Sequence, residues 1–600
     1  MTTYKAPLDD YRFLLNDVLD FDQLSALPGF EDATPDVVDA ILEEGAKLCE
    51  NELHPLNEVG DREGCTWDNG VVRTPKGFKQ AYDLYCDGGW NGLTHPTRYG
   101  GQGLPQTLGS IMAEMISAAN TSFGMFPGLN EGAIHALDAH ADNSIKDLYL
   151  PKMVEGRWSG TMNLTEPHCG TDLGLIKTKA VPRDDGSYAI SGTKIYISAG
   201  EHDLTENIVH LVLAKLPDAP PGVKGISLFV VPKYLPKEQD GDWIAGERNG
   251  VRCLSLEKKM GIHASPTCVM NYEDAKGWLV GAPHKGLRAM FTMMNAARLG
   301  VGIQGLGLGE IAYQNAAAFS HERLQGRALK GTAHPDKDAD PIIVHPDVRK
   351  NLLTMRAFTE GARALALWTG INLDIAHNHP DAEKRQEADD LVSLLTPVIK
   401  AYLTDMGFEA ANLGVQIHGG HGYIKDYGVE QFVRDSRIAL IYEGTNGIQA
   451  MDLVGRKLPM HMGRLLRRFF HPVQQYLEQP MENPALAQFA APLARYFSKL
   501  QQATAVIAQK GLSDADEAGA AATDYLRLFA LVAMGYMWLR IVEASQAKLA
   551  DGANGDAPKY EAKVQTARFF FERMLPEAEY RFRSLMAGAE SIMSMPEDAF

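Results

Sequence analysis

From Thr161 to about Val280 the chain is written in short runs of β-branched and aromatic residues broken by Gly, Pro and Asp, while the sequence on either side is helical in pattern. Residues 188–192, 208–213 and 226–231 are such runs, and runs spaced by turn formers read as an antiparallel β-domain inserted between helical ones. Ahead of it, Thr34, Pro35 and Asp36 make a helix start before Val37, Val38, Ile41 and Leu42. Residues 88–105 are rich in turn formers, and helical patterning resumes over 111–119 and 133–141. Behind the β-rich block the helical period returns, as in residues 365–368 and 391–395, and it continues through an Ala-rich final segment. There the 526–542 stretch is apolar nearly all round and belongs inside other helices, while 552–558 is a loop of turn formers. The expected fold class is α+β: an N-terminal helical domain (1–160), a β-domain (161–284), a second helical domain (285–460) and a C-terminal helical extension (461–600).

At 600 residues the chain is too long for one core. Its 58 Lys and Arg against 76 Asp and Glu leave a net charge of −18, which repels nucleic acid and anionic lipid, so no nucleic-acid partner is expected. The six cysteines include no C-x-x-C pair and no zinc-like spacing with His, so neither a disulfide framework nor a structural metal is indicated. The first ten residues lack the basic and apolar regions of a signal peptide. The longest near-continuous apolar run, 528–539, is shorter than the roughly 20 residues that cross a bilayer. The expectation is a cytoplasmic protein with no membrane span.

Few short motifs carry chemistry. Gly305, Gly307 and Gly309 follow a helical stretch rather than a strand, so close helix packing is favoured over a dinucleotide fingerprint. His418 and His421 lie on a Gly-rich loop without a third ligand at any usual spacing, and no metal is expected. Two segments say more. Residues 163–172 open the β-domain with small residues and hydroxyls that can present donors to a planar or phosphorylated ligand, though an ordinary capped turn is the commoner meaning of such a run. In the other, Glu443 follows the apolar run 438–441 and precedes a helix with Ile448, Met451 and Val454 at intervals of three. A carboxylate in an apolar setting before a helix has a raised proton affinity, which suits a general base, although a Glu beside a Gly is usually a solvated loop residue.

Taken together and in order, these segments resemble the acyl-CoA dehydrogenase family of flavoproteins. The family pattern runs T-E-P-x-x-G-S-D, R-x-Q-F-G, Q-x-x-G-G-x-G-Y, R-D-x-R-I and I-Y-E-G-T-x-x-I-Q. This chain has Thr165-Glu166-Pro167 with Gly170-Thr171-Asp172, then Gln416 with Gly419-Gly420 and Gly422-Tyr423. Arg434-Asp435-Ser436-Arg437-Ile438 and Ile441-Tyr442-Glu443-Gly444-Thr445 with Ile448-Gln449 complete the series. Near the N-terminus, residues 89–93 and 99–103 also fit.

The resemblance implies two helical domains flanking a β-barrel, with FAD bound between domains and across a homodimer contact. It implies that Thr165 and Ser198 contact the isoalloxazine, that Tyr196 belongs to the cofactor-binding set, and that Thr171 lies near flavin and pantetheine. Arg323 and Gln325 are expected to reach a neighbouring subunit's FAD diphosphate, Gln416 and Gly420 its adenosine part, and Thr445 the FAD of its own site. The implied reaction removes the α-proton of an acyl-CoA thioester while the β-hydrogen leaves as hydride to the flavin. Glu443 is the expected base, and its backbone N–H helps stabilise the enolate developing on the thioester oxygen. Residues 295–298 hold no rival carboxylate; Asn295 and Arg298 are expected, with Glu443 and Gly444, to line the acyl-CoA tunnel, Arg298 being equally well a structural partner of its helix. Electron-transferring flavoprotein is the expected acceptor.

The sequence departs from the family pattern in places. Gly326 stands where R-x-Q-F-G has Phe, His168 and Cys169 replace small residues, and Tyr196 stands where an indole is common. Residues 330–345 and the tail beyond about 460 are additions to the compact pattern, and the tail, with residues 4–8 and 345–349, resembles one subgroup of longer chains. That subgroup implies 3-methylmercaptopropionyl-CoA as substrate, or broad or long-chain fatty acyl-CoAs as the alternative, and a dimer rather than a tetramer. Two further readings are weaker: an acyl-CoA oxidase, and a flavin-containing DNA-binding relative, which the acidic charge disfavours.

Overall fold

The computed structural model describes residues 2–479, 484–552 and 555–600. Ala553 and Asn554, in the middle of the expected 552–558 loop, lie outside the described residues. The chain divides into two compact units, one of residues 47–104 and 115–300, the other of 1–46, 105–114 and 301–600.

The first unit is built on a seven-stranded sheet: β1 (Trp158–Asn163), β2 (Lys179–Pro182), β3 (Tyr188–Ser198), β4 (Asn207–Lys215), β5 (Ile226–Pro232), β6 (Val251–Leu256) and β7 (Thr267–Val280). β7 pairs β3, β3 pairs β2, β2 pairs β4, β4 pairs β5 and β5 returns to β7, so five strands close into a barrel and β6 and β1 extend it. Every residue of β4 but the last is buried. Its Val209, Leu211 and Leu213 face a core shared with Leu137, Trp158 and Met290, while Val212 and Ala214 face the barrel core with Phe229 and Tyr272. The strands fall on the expected runs, but the sheet is mixed rather than antiparallel. β1 runs parallel to β4 from Trp158 opposite Asn207 to Asn163 opposite Val212. Parallel pairing needs a long connection, and β2 with β3 supplies it.

Helix α1 (Gln106–His140) also exceeds the expectation, which left 120–132 unassigned. It is two helical segments broken at Asn120 (φ −160°), whose side-chain oxygen accepts from the Phe123 N–H at 3.0 Å and so caps the second segment.

The second unit is helical: α2 (Gly286–Glu322, from Val301 on), α3 (Pro346–Asn378), α4 (Ala382–His418), α5 (Val429–Arg437), α6 (Asn446–Asp452), α7 (Ala487–Ser513), α8 (Ala515–Ala550) and α9 (Glu577–Met586). In α8 residues 528–539 are all buried, as their all-round apolarity requires. α4 with its following turn, and α8, are long and apolar enough to cross a bilayer, so the run-length argument against a span does not hold; their most apolar stretches are 83% and 89% buried inside the protein, like core helices. α8 lies against α6, where the Met451 sulfur comes within 3.9 Å of the Cβ position of Gly519.

Chain segments far apart in sequence meet at Arg363 on α3, a guanidinium only 1% exposed. It is paired with Asp10, with Glu114 at 2.7 Å and with Glu310 at 2.8 Å. Lys563 is bonded to the same Asp10 and to Glu360 at 3.2 Å.

Candidate active site

The residues singled out by the sequence fall into two groups, one in each unit. In the barrel unit the loop after β1 is built around Glu166, 3% exposed. Its carboxylate accepts from the Lys177 N–H (2.7 Å), the Thr178 N–H (3.0 Å), the Thr178 hydroxyl (2.6 Å) and the fully buried Lys194 ammonium (2.9 Å). Burial alone would raise this carboxyl, but Lys194 and the other donors outweigh it and hold it below its ordinary value. Lys194 also donates to the Leu164 carbonyl at 3.0 Å, and the Ile195 N–H to the Thr165 carbonyl at 2.9 Å. Half-buried Thr165 therefore sits between two fixed residues. Cys169 and His168 bring ligand atoms within 4.8 Å of Glu166, but the Glu166 oxygens are already taken and His168 Nε2 is on the Leu175 carbonyl at 2.8 Å. This is a hydrogen-bonded turn, not a vacant ligand set.

One residue is inserted in β3 between its pairings Cys268 opposite Ile197 and Met270 opposite Lys194. The bulge puts Tyr196 at φ +60° and turns its ring outward, 60% exposed. Ser198 is half-buried and Thr171 exposed. Asn295 and Arg298 share a face of α2: Arg298, 5% exposed, donates to the Asn295 oxygen at 3.5 Å and lies 5.9 Å from the Phe291 ring centre.

In the helical unit Arg323 and Gln325 are exposed just beyond α2, and their backbone is pinned. Leu324 bridges to Pro341, the Ile342 N–H donates to the Arg323 carbonyl (2.8 Å) and the Gln325 N–H to the Asp340 carbonyl (2.9 Å). Asp340 knots the added 330–345 loop by accepting from the N–H groups of Ala328, Ala333 and His334 and from Arg327. Gln416 and Gly420 are exposed, and a Cβ on Gly420 would meet nothing within 4 Å. His418 is a packing residue, stacked on Phe319 at 4.3 Å between ring centres and bonded to the Gly414 carbonyl.

The Glu443 loop joins α5 to α6. Glu443 (φ +57°) and Gly444 (φ +87°) are both left-handed, and Thr445 caps α6 by accepting from the Ile448 N–H at 3.4 Å. Glycine adopts that conformation freely; glutamate is strained there. The apolar setting expected from residues 438–441 is only part of the picture, because Ile441 is 47% exposed and polar groups grip the turn. Lys400 donates to the Gly444 carbonyl at 2.8 Å, and the Gln449 amide to the carbonyls of Glu443 and Gly444 at 3.1 Å each. Tyr442 donates to Gln304, and burial, reinforced by the neighbouring Glu443 charge, pushes its hydroxyl well above the ordinary value. Sequence reading missed Lys400, Asn446 and Gln449 as supports of this turn. The available signal was a lysine alone in the apolar run of Val398, Ile399, Ala401 and Tyr402.

Four domain families match the chain in succession: "Acyl-CoA dehydrogenase, N-terminal domain" over residues 36–157, "Acyl-CoA dehydrogenase, middle domain" over 161–275, "Acyl-CoA dehydrogenase, C-terminal domain" over 284–458, and "Acetyl-CoA dehydrogenase C-terminal like" over 469–596. The 3-methylmercaptopropionyl-CoA dehydrogenase of Ruegeria pomeroyi is 45% identical over 597 residues, 99% of either chain. A butyryl-CoA dehydrogenase of Syntrophomonas wolfei is 33% identical over 612 aligned positions, covering 100% of this chain and 99% of the relative. The crystal structure of an acyl-CoA dehydrogenase complexed with FAD from Bacillus anthracis superposes with a TM-score of 0.75 over 98% of this chain and 93% of that one, at 22% identity, a likeness of fold.

Proposed function

This chain belongs to the acyl-CoA dehydrogenase family, FAD-dependent oxidoreductases of acyl-CoA thioesters, and on that premise we propose that it oxidises 3-methylmercaptopropionyl-CoA to methylthioacryloyl-CoA, with Glu443 as the base. The observation that carries the substrate assignment is 45% identity sustained over 99% of both chains, tail included, with a relative that bears that activity in its name.

The residues fit the cofactor. Thr165, Thr171 and Ser198 offer hydroxyls, and the outward ring of Tyr196 a flat surface, for a planar heteroaromatic group. Arg323 and Gln325 offer a cation and an amide for a diphosphate, and the open space at Gly420 admits close approach to backbone. FAD supplies a two-electron acceptor for the hydride leaving the β-carbon. Glu443 takes the α-proton, and the electron pair of that C–H bond becomes the α,β double bond. The Glu443 N–H stabilises the charge developing on the thioester oxygen, and excluding water strengthens that contact. Electron-transferring flavoprotein reoxidises the enzyme, which works as a homodimer in which Arg323, Gln325, Gln416 and Gly420 serve the partner's cofactor. The setting is cytoplasmic, in keeping with six unpaired cysteines.

Anaerobic mixing of the holoenzyme with thioesters tests the substrate. Bleaching of the flavin band by 3-methylmercaptopropionyl-CoA is expected to outrun bleaching by palmitoyl-CoA, with butyryl-CoA close behind, because one methylene distinguishes substrates by only about 10- to 200-fold. Bleaching by palmitoyl-CoA alone would move the enzyme to fatty-acid oxidation. Thr165→Val should leave the melting temperature unchanged and weaken FAD binding roughly tenfold, the worth of one good hydrogen bond, as read by fluorescence titration of the apoprotein. Unchanged affinity and visible spectrum would remove Thr165 from the cofactor site.

A further inference from the structure

Lys400 has no exposed surface, yet its ammonium bonds to the turn that carries Glu443. Besides the Gly444 carbonyl, it donates to the Asn446 side-chain oxygen at 2.8 Å. The Asn446 amide in turn donates to Asp405 at 2.7 Å and to the Thr404 hydroxyl at 3.0 Å, both on α4 with Lys400. With Gln449 holding the carbonyls of Glu443 and Gly444, both peptide planes that follow Glu443 are fixed from α4 and α6. Fixing a carbonyl fixes its whole peptide plane: the Glu443 carbonyl lies in the plane that leaves the Glu443 Cα and the Gly444 carbonyl in the next, so the turn on which the side chain stands is held from its C-terminal side. A glutamate at φ +57° is strained, so the turn persists because its surroundings over-determine it. The Lys400 bond is the charge-assisted member of that set, and buried ammonium groups are kept only where their donors are satisfied.

We propose that Lys400 is a positioning residue for the reaction: it holds the Gly444 carbonyl and Asn446 so that the Glu443 carboxylate is aimed at the substrate α-proton. The inference rests on the reading of Glu443 as base, and it makes α4 part of the catalytic apparatus although Lys400 touches no reactant.

The test compares Lys400→Met, Lys400→Gln and Glu443→Gln holoenzymes. Met and Gln are each one atom shorter than Lys and fall short of the Gly444 carbonyl. Both Lys400 variants are expected to keep their FAD, to leave KM for the acyl-CoA within about threefold, and to lose about 10- to 100-fold in kcat, the scale of a reacting group misplaced by about 1 Å. The isotope effect on kcat with α-deuterated substrate should rise, since a misaimed base slows C–H cleavage and no other step. Should Lys400→Met fail to fold, Lys400→Gln decides. A Lys400→Gln kcat within threefold of the parent, or an unchanged isotope effect, with Glu443→Gln inactive, overturns the positioning role and leaves the base in place. An active Glu443→Gln overturns both.

Discussion

Glu443→Gln is expected to bind FAD and acyl-CoA like the parent and to reduce its flavin at least about 10³-fold more slowly in anaerobic stopped flow at the flavin band. Gln matches Glu in shape and reach, so the substitution removes only the ability to take a proton. The strained turn makes this a clean comparison. Gln is as uncomfortable at φ +57° as Glu, so the backbone cost is unchanged and the melting temperature should stay within a degree or two. Glu443→Gly, which removes the base and also relaxes the turn, should be equally inactive but slightly more stable. That contrast separates chemistry from strain: a dead, unstabilised Gln variant beside a dead, stabilised Gly variant identifies the conformation as one maintained for the side chain it carries. Residual flavin reduction above a tenth of the parent rate in the Gln variant would remove Glu443 from the role of base.

The barrel was readable because its strands are local events. Residues 188–192, 208–213 and 226–231 lie in β3, β4 and β5, and β-branched runs between turn formers specify a strand without reference to anything distant. Pairing partners are another matter. Nothing within 158–163 says that this strand lies parallel to 207–212, because register is decided by which faces need burying once the chain has returned. Asn120 illustrates the same limit on the helical side: the helical pattern stops at residue 119, whereas the Asn120 side chain caps the next segment and the helix resumes.

At the candidate site the motifs located the loops and not the forces that shape them. Glu443 stands out beside Gly444 in sequence, but its left-handed backbone depends on Lys400 and Gln449, one of them more than forty positions away. The outward aim of Tyr196 likewise depends on one extra residue in β3 relative to β7, which only the paired strands reveal. A lone lysine in an apolar helical run is a readable sign of a buried cation; its acceptor, a backbone carbonyl in another loop, leaves no trace in composition.

Arg363→Met should be the most destabilising single substitution proposed, lowering unfolding free energy by about 3 to 5 kcal/mol and the melting temperature by roughly 4 to 7 °C. The loss comes less from the missing bonds than from what remains. Glu114 and Glu310, 3% and 7% exposed on their side chains, would face each other across a methionine with no counter-charge from Arg363. Asp10 would keep Lys563. Neutralising the stranded groups should therefore recover much of the loss, and Arg363→Met/Glu114→Gln/Glu310→Gln is expected to melt well above Arg363→Met. The pH dependence has a definite sign. Burial alone would raise Asp10, but Lys563 and Arg363 outweigh it and bring it from 3.8 to about 2. Its stabilising contribution is thus complete above pH 3.8 and fades as pH falls through about 2. Without Arg363 the Asp10 carboxyl moves back up, and the acid limb of the stability curve should begin at higher pH than in the parent. Calorimetric melts of the three proteins between pH 2 and 7 read both effects. A single variant melting within 2 °C of the parent at pH 7 would mean that water reaches these carboxylates, and that Arg363 is one surface pair among many rather than the buried hub joining Asp10, Glu114 and Glu310.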